Sequence, residues 1–300
     1  MTELNEIMKD IRLVLCDIDG TLYDWDRILS ERTIRVINEL HARGYGFGIA
    51  SGRPYEELVD YARNWGFPFE FDVLIGQNGA ELYSLKQNRL YEYYKLSPAV
   101  IKKAIEVMSQ FECNPFMYWH QKLLCVKEDA MIHKSAMTSQ RQIVVAKDIK
   151  ELYAEENVKI MFRMSEEETA RAEAYLAEHP DPDFAALKSQ STLIEFMDPR
   201  ISKGFAMKEL CALGEYELKN ILAFGDTTND NSMIQTAGWG VCLINGSEDT
   251  KAVADDLTRF DCKHGILYSK AKIACYSRCF LTSYFCIPVP YIEKDIFSGC

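Results

Sequence analysis

The apolar run Leu13-Val14-Leu15-Cys16 ends abruptly at Asp17-Ile18-Asp19-Gly20-Thr21. A short run with no polar alternation reads as a strand buried on both faces, which belongs in a parallel sheet covered by helices. Two carboxylates spaced i and i+2 cannot follow it into that interior, so the strand must deliver them to an open edge. There one acid can attack or hold a metal while the other handles a proton. The glycine lets an anion approach the backbone.

The segments that follow keep the same grammar. Ser30 reads as the N-cap of a helix to about Arg43, with Ile34, Ile37 and Leu40 at helical spacing. Gly44 ends it, Tyr45 to Ala50 is the next strand, and Pro54 suits the first turn of another helix. Phe71 to Ile75 makes a third strand. Strand and helix alternating with short links imply a doubly wound, Rossmann-like parallel sheet. From about Tyr83 to Ser191 the texture changes: the strand-like pieces Leu90 to Tyr94, Leu123 to Val126 and Val158 to Met164 lie among polar helices. Buried-strand grammar returns with a helix over about Ser202 to Leu213 and strands at Ile221 to Phe224 and Trp239 to Leu243. The expected organisation is an α/β core in two parts, 1-83 and 191-268, interrupted by an inserted α/β domain at 84-190. A Cys-, Tyr- and Phe-rich tail follows at 269-300.

Composition narrows the partners. A formal net charge of -11 argues against a nucleic-acid binder, whose affinity rests on Lys and Arg neutralising phosphates. No apolar stretch approaches the ~20 residues a membrane span needs, and residues 1-6 carry neither a basic n-region nor an apolar h-region. The ten cysteines are mostly scattered through apolar segments rather than grouped as a disulfide framework. Reduced thiols and a cytoplasmic protein are expected.

Strand C-termini of a parallel sheet share one edge, and ligands bind there. That edge should gather the opening motif, Ser51-Gly52-Arg53, and Gly225-Asp226-Thr227-Thr228-Asn229-Asp230, with Lys203-Gly204 opening the helix after the insert. Asp17, Asp19, Asp226 and Asp230 would then crowd one crevice and repel unless a cation joins them. An oxygen-rich cluster fits Mg²⁺ working with a phosphorylated substrate. Ser51 and Lys203 supply a hydroxyl and a fixed positive charge for a phosphoryl group, and the peptide N–H groups around Ile18 and Gly20 add oxyanion-type donors.

Taken in order, these four motifs resemble those of the haloacid dehalogenase superfamily, specifically the Cof-like phosphatases of subfamily IIB with an inserted C2B-type cap. Asn78-Gly79-Ala80, and Ala254-Asp255 followed by Thr258 and Gly265, agree with it, and the resemblance covers about residues 9 to 268. It implies a phosphoric monoester hydrolase in which Asp17 is the nucleophile, forming an aspartyl-phosphate. Asp19 is the general acid and then the base. It further implies Mg²⁺ held by Asp17, the main-chain carbonyl of Asp19, and Asp226, with Asp230 in support. Ser51, Gly52, Lys203 and Asn229, with the amides of Ile18 and Gly20, would bind the phosphoryl group. The implied partner is a small phosphorylated metabolite, a sugar phosphate before others; neither nucleic acid nor membrane is expected, and the oligomeric state is open. The same residues leave room for a phosphomutase, which returns the phosphoryl group to another hydroxyl, and for a non-catalytic binding protein, although no nucleophile or metal carboxylate is missing.

Several residues stand between two readings. Arg53 either reaches the phosphoryl group or closes a turn, and Asn78 either caps a turn or faces the substrate. Arg163 and Glu195, on strands of the insert, are either substrate contacts or structural partners. Arg200 stands where relatives usually carry glycine, and Gly240-Val241-Cys242-Leu243-Ile244-Asn245-Gly246 departs from their usual Gly-Val-Ala-Met-Gly-Asn-Ala; neither change removes a catalytic atom. Cys262-x-His264 with Cys275 and Cys279 is too irregular to read as a zinc site over an extra surface element, an oligomer contact or a non-native end.

Overall fold

A computed structural model describes residues 9–23 and 28–258. The candidate zinc residues, Gly265 and the 269-300 tail lie outside the described residues. The first part runs β1 (Leu13–Cys16), α1 (Glu31–Ala42), β2 (Gly46–Ala50), α2 (Tyr55–Asn64), β3 (Val73–Gly76), β4 (Glu81–Ser84) and β5 (Arg89–Glu92). Then come α3 (Pro98–Met108), β6 (Cys113–Trp119), β7 (Lys122–Cys125), α4 (Ala130–Ser139), β8 (Gln142–Val145), β9 (Lys159–Met164), α5 (Glu166–Glu178), β10 (Ala185–Gln190) and β11 (Leu193–Met197). The last part holds α6 (Lys203–Ala212), β12 (Ile221–Gly225), α7 (Asn231–Thr236), β13 (Trp239–Cys242), α8 (Glu248–Val253) and β14 (Asp256–Leu257).

Two sheets result. The first has eight strands in the order β14-β13-β12-β1-β2-β3-β4-β5, parallel from β14 to β3, with β4 and β5 added antiparallel. Every residue of β1 and β12 is buried. On one face Val14, Phe47, Ile49 and Leu222 pack with Val36, Ile37 and Leu40 of α1 and Leu58 of α2. On the other, Leu13, Leu15, Val73 and Ala223 pack with Ala206, Met207 and Leu210 of α6. Helices on both faces make this the doubly wound α/β core expected. The chain leaves β1 toward β2 on one side and returns as β12 on the other, so the strand order reverses at β1, the position where such sheets open a crevice.

The second sheet has the order β10-β11-β9-β6-β7-β8 and is antiparallel except between β7 and β8. Ile101, Ala104 and Met108 of α3 and Ala172 of α5 cover one face, and Ile132 and Ala136 of α4 cover the other. Its extent departs from the change of texture at 84 and 190. Arg89–Glu92 pairs with β4 in the first sheet, and Leu193–Met197 pairs with β10 and β9 in the second. Hairpin pairing with β4 outweighs the polar composition that made Leu90 to Tyr94 look foreign. Pro54 is the N-cap of α2 rather than a residue of its first turn, and Glu81 Oε2 accepts the Tyr55 amide at 2.7 Å in place of a capping side chain.

Candidate active site

Parallel register brings the site together. Cys16 stands opposite both Phe224 of β12 and Ile49 of β2, so the residues after these strands emerge side by side. Asp17 follows β1, Ser51 follows β2, and Asp226 follows β12, all at one sheet edge. The Asp17 amide donates to the Phe224 carbonyl at 2.9 Å and the Ser51 amide to Ile75 at 2.8 Å, which anchors both turns.

Lys203 is the first residue of α6, whose N-cap Ser202 accepts the Phe205 amide. Gly79, with φ +110°, lets this helix start come close: a Cβ there would lie 2.1 Å from the Ser202 carbonyl oxygen. The Lys203 ammonium is fully buried and donates to Asp17 Oδ1 at 2.5 Å and to Asp230 Oδ1 at 2.6 Å. Asp230 Oδ2 accepts the amides of Asp226 at 2.9 Å and Thr227 at 3.1 Å. Thr21 donates from Oγ1 to Asp226 Oδ1 at 2.8 Å, tying the first turn to the last. Gly20, at φ +92°, completes the cradle, since a Cβ there would lie 2.3 Å from Asp226 Oδ2.

The result is one ammonium against three buried carboxylates. Oxygens of Asp17, Asp226 and Asp230 all lie within 4.8 Å of one another. Burial first, and then Asp230, push the Asp17 carboxyl well above the usual carboxylate range in spite of Lys203. The same two causes, in the same order, push Asp226 up to about 7. Burial works against the charge on Lys203, but Asp17 and Asp230 outweigh it and hold the ammonium protonated. A buried surplus of negative charge made only of oxygen donors, in a pocket a Cβ would fill, fits a hard divalent cation.

Asp19 stands apart from this cluster. Its side chain is half exposed and turns to Arg53, which donates from Nε to Oδ2 at 3.0 Å and from Nη2 to Oδ1 at 2.9 Å. Arg53 therefore touches the second acid, a contact that neither reading named. Gly20 departs from expectation as a donor, because its amide already donates to the Tyr23 carbonyl at 2.9 Å in the tight turn. Asn229 is bonded to Asn78, Nδ2 to Oδ1 at 3.2 Å. Asn78 is buried in the left-handed region, with φ 57°, and its amide holds the Ser51 carbonyl. Arg163 is a structural partner, donating to Ser135, Gln190 and Thr192. Arg200 pairs with Asp198 and lies 3.6 Å over the Tyr94 ring.

Two contributors escaped the sequence reading. Asn245 donates to the Gly20 carbonyl at 2.9 Å, and Lys159 donates to the Gly52 carbonyl at 2.9 Å. Asn245 could have been found, since it lies in a loop after a strand of the same sheet. Lys159 lies in a strand of the second sheet, where nothing local marks it.

Sheet, switch point and acid cluster together define a doubly wound α/β protein with a buried carboxylate centre. Residues 14–269 match the family model of the haloacid dehalogenase-like hydrolases, and the chain belongs to that family. The chain is 24% identical over 263 residues to the 5-amino-6-(5-phospho-D-ribitylamino)uracil phosphatase YitU of Bacillus subtilis, covering 85% of this chain and 94% of that one. Among solved structures, a haloacid dehalogenase-like hydrolase from Bacteroides thetaiotaomicron superposes with a TM-score of 0.75 at 21% identity, over 90% of this chain and 100% of the other. The subclass IIB sugar phosphatase BT4131 superposes at 0.73 and 19% identity, over 88% and 99%.

Proposed function

We propose that the chain is a Mg²⁺-dependent phosphatase that hydrolyses a small phosphate monoester through an aspartyl-phosphate on Asp17. The observation that carries this reading is the buried Asp17, Asp226 and Asp230 cluster gripping Lys203 beside Ser51 at the switch point. Asp17, the Asp19 carbonyl and Asp226 would hold the ion, with Asp230 in support. The chemistry supplied by bound Mg²⁺ is neutralisation of carboxylate and phosphoryl charge.

In the first half-reaction a carboxylate oxygen of Asp17 attacks phosphorus, the bond from phosphorus to the ester oxygen breaks, and Asp19 gives the leaving alcohol its proton. In the second, water attacks the same phosphorus, Asp19 takes the water's proton, and inorganic phosphate departs from Asp17. The Ser51 hydroxyl, the Lys203 ammonium and the Ile18 amide are assigned to the phosphoryl oxygens, where positioning and electrostatics supply most of the acceleration. The bidentate grip of Arg53 is assigned the orienting of Asp19 for both proton transfers.

The second α/β unit is assigned the role of a cap that shelters the reaction and selects the leaving group. A sugar or polyol phosphate is the proposed substrate class, supported by the activities named for YitU and BT4131. Among the described residues no helix is long and apolar enough to cross a membrane. Cys16, Cys113, Cys125, Cys211 and Cys242 carry free thiols, which suits a reducing compartment such as the cytoplasm.

The test is phosphate release with Mg²⁺ across sugar phosphates, nucleotides and cofactor phosphates in ¹⁸O-labelled water. Turnover of a sugar or polyol phosphate with label in the released phosphate is expected. Isomerised sugar phosphate without label would mean a mutase, and no turnover of any ester would sink the reading.

A further inference from the structure

The strand β9 is apolar except at two positions. Ile160, Met161, Phe162 and Met164 are buried, and so are Lys159 and Arg163. Arg163 is accounted for by the neutral acceptors that hold α4 and β10 around it. Lys159 has no such local account. Its ammonium is 2.8 Å from Glu195 Oε2 on the neighbouring strand, and both side chains are almost wholly buried. A buried ion pair is a poor way to stabilise a sheet, since apolar residues of similar volume usually serve as well or better. What distinguishes this pair is its third member, the carbonyl of Gly52, 107 residues away in the chain and part of the first sheet's edge.

Gly52 sits between the residue assigned to the phosphoryl group and the residue that grips the second acid. From its own sheet the turn is held by Ile75, Asn78 and Gln77, whose backbone groups engage Ser51 and Arg53. The Arg53 amide reaches the Ser51 hydroxyl at 3.3 Å. The Gly52 carbonyl is held by Lys159 alone among the described residues. The same seam carries a second cation of the insert: Arg141 lies 3.6 Å from Glu57, which in turn accepts from Arg53 at 3.5 Å.

We propose that Lys159 is a positioning residue: oriented by Glu195, it fixes the Gly52 carbonyl and thereby sets Arg53 and its grip on Asp19 from the second sheet. The acid–base half of the chemistry is then coupled to the seating of that sheet, whereas the nucleophile and its cluster are built by the first sheet alone. This inference rests on the phosphatase reading only for its kinetic consequence.

The experiment compares wild type with Lys159→Met/Glu195→Leu, which removes both charges at once so that no lone buried carboxylate is left to unfold the chain, and with Lys159→Arg. Hydrogen exchange at the Arg53 amide reads the turn directly. It should quicken about tenfold in the double variant and return toward wild type in Lys159→Arg, with exchange in β1 and β12 unchanged. With Mg²⁺, kcat/KM on an alkyl phosphate should fall about tenfold more than kcat/KM on p-nitrophenyl phosphate, whose leaving group needs no proton. An equal loss on both esters, or an unchanged Arg53 amide, overturns the proposal. If no ester is turned over by wild type, the phosphatase reading fails, and the exchange rates still decide the role of Lys159.

Discussion

Among the described residues two lysines are buried, and they are buried on different terms. Lys203, at the edge of the first sheet, faces three carboxylates with one charge. Lys159, in the second sheet, faces Glu195 and a backbone carbonyl, so that its surroundings balance it. The unbalanced cluster is costly to the fold and is tolerable where a further cation and an anionic substrate complete it. The balanced pair asks for no ligand and works as a joint. Burial of charge alone does not mark a reaction centre; a surplus of one sign does.

The contrast can be broken from its catalytic side first. Asp17→Asn is nearly isosteric and removes one of three repelling acids. Turnover should fall on the order of 10⁴-fold, with the melting temperature unchanged or raised. Activity near wild type in a phosphate-release assay would remove Asp17 as nucleophile. Lys203→Met should lower kcat/KM by roughly 10³-fold, because the cluster and the phosphoryl group lose their cation together. A loss of only a few-fold would make Lys203 structural, like its counterpart in the second sheet.

Stability sharpens the same contrast. Asp17 and Asp226 hold their protons to higher pH in the fold than in the unfolded chain, the latter to about 7. The folded, metal-free protein therefore binds more protons than the unfolded chain between the ordinary aspartate value of about 3.9 and that range. Its stability should fall as pH rises through this window, by roughly 2 to 4 kcal/mol. Thermal melts should show Mg²⁺ raising the transition strongly near neutral pH and little near about pH 5. An equal shift at both would separate the ion from the cluster. The smallest effect belongs to the balanced pair: Lys159→Met/Glu195→Leu should move stability by less than about 2 kcal/mol in denaturant melts. A larger loss would mean that the pair carries the second sheet's fold.

What was legible in the sequence follows from how local each cause is. Ser30 announces α1 because its hydroxyl caps an amide three residues on. The acids after β1 and β12 are legible because an apolar run ending in carboxylates has one physical use. Arg53 was ambiguous, since its partner Asp19 lies 34 residues away and only the sheet brings them together. Lys159 was invisible for the same reason over a longer span. The strand Cys113–Trp119 was hidden by Pro115, which normally argues against a central strand. Here Pro115 stands opposite Phe162, and its carbonyl still accepts the Val126 amide.

The placing of β1 between β2 and β12 has a consequence in time. Thr21 leaves the ribosome 205 residues before the Asp226 it must hold. At translation rates of about 5 to 20 residues per second, β1 waits roughly 10 to 40 seconds with one edge unpaired. Throughout that interval the nascent chain carries Asp17, the proposed nucleophile, without the other two carboxylates of the cluster, Asp226 and Asp230. On the proposed mechanism prematurely terminated products are inert toward phosphate esters, and the exposed edge of β1 is where such fragments would stick to one another.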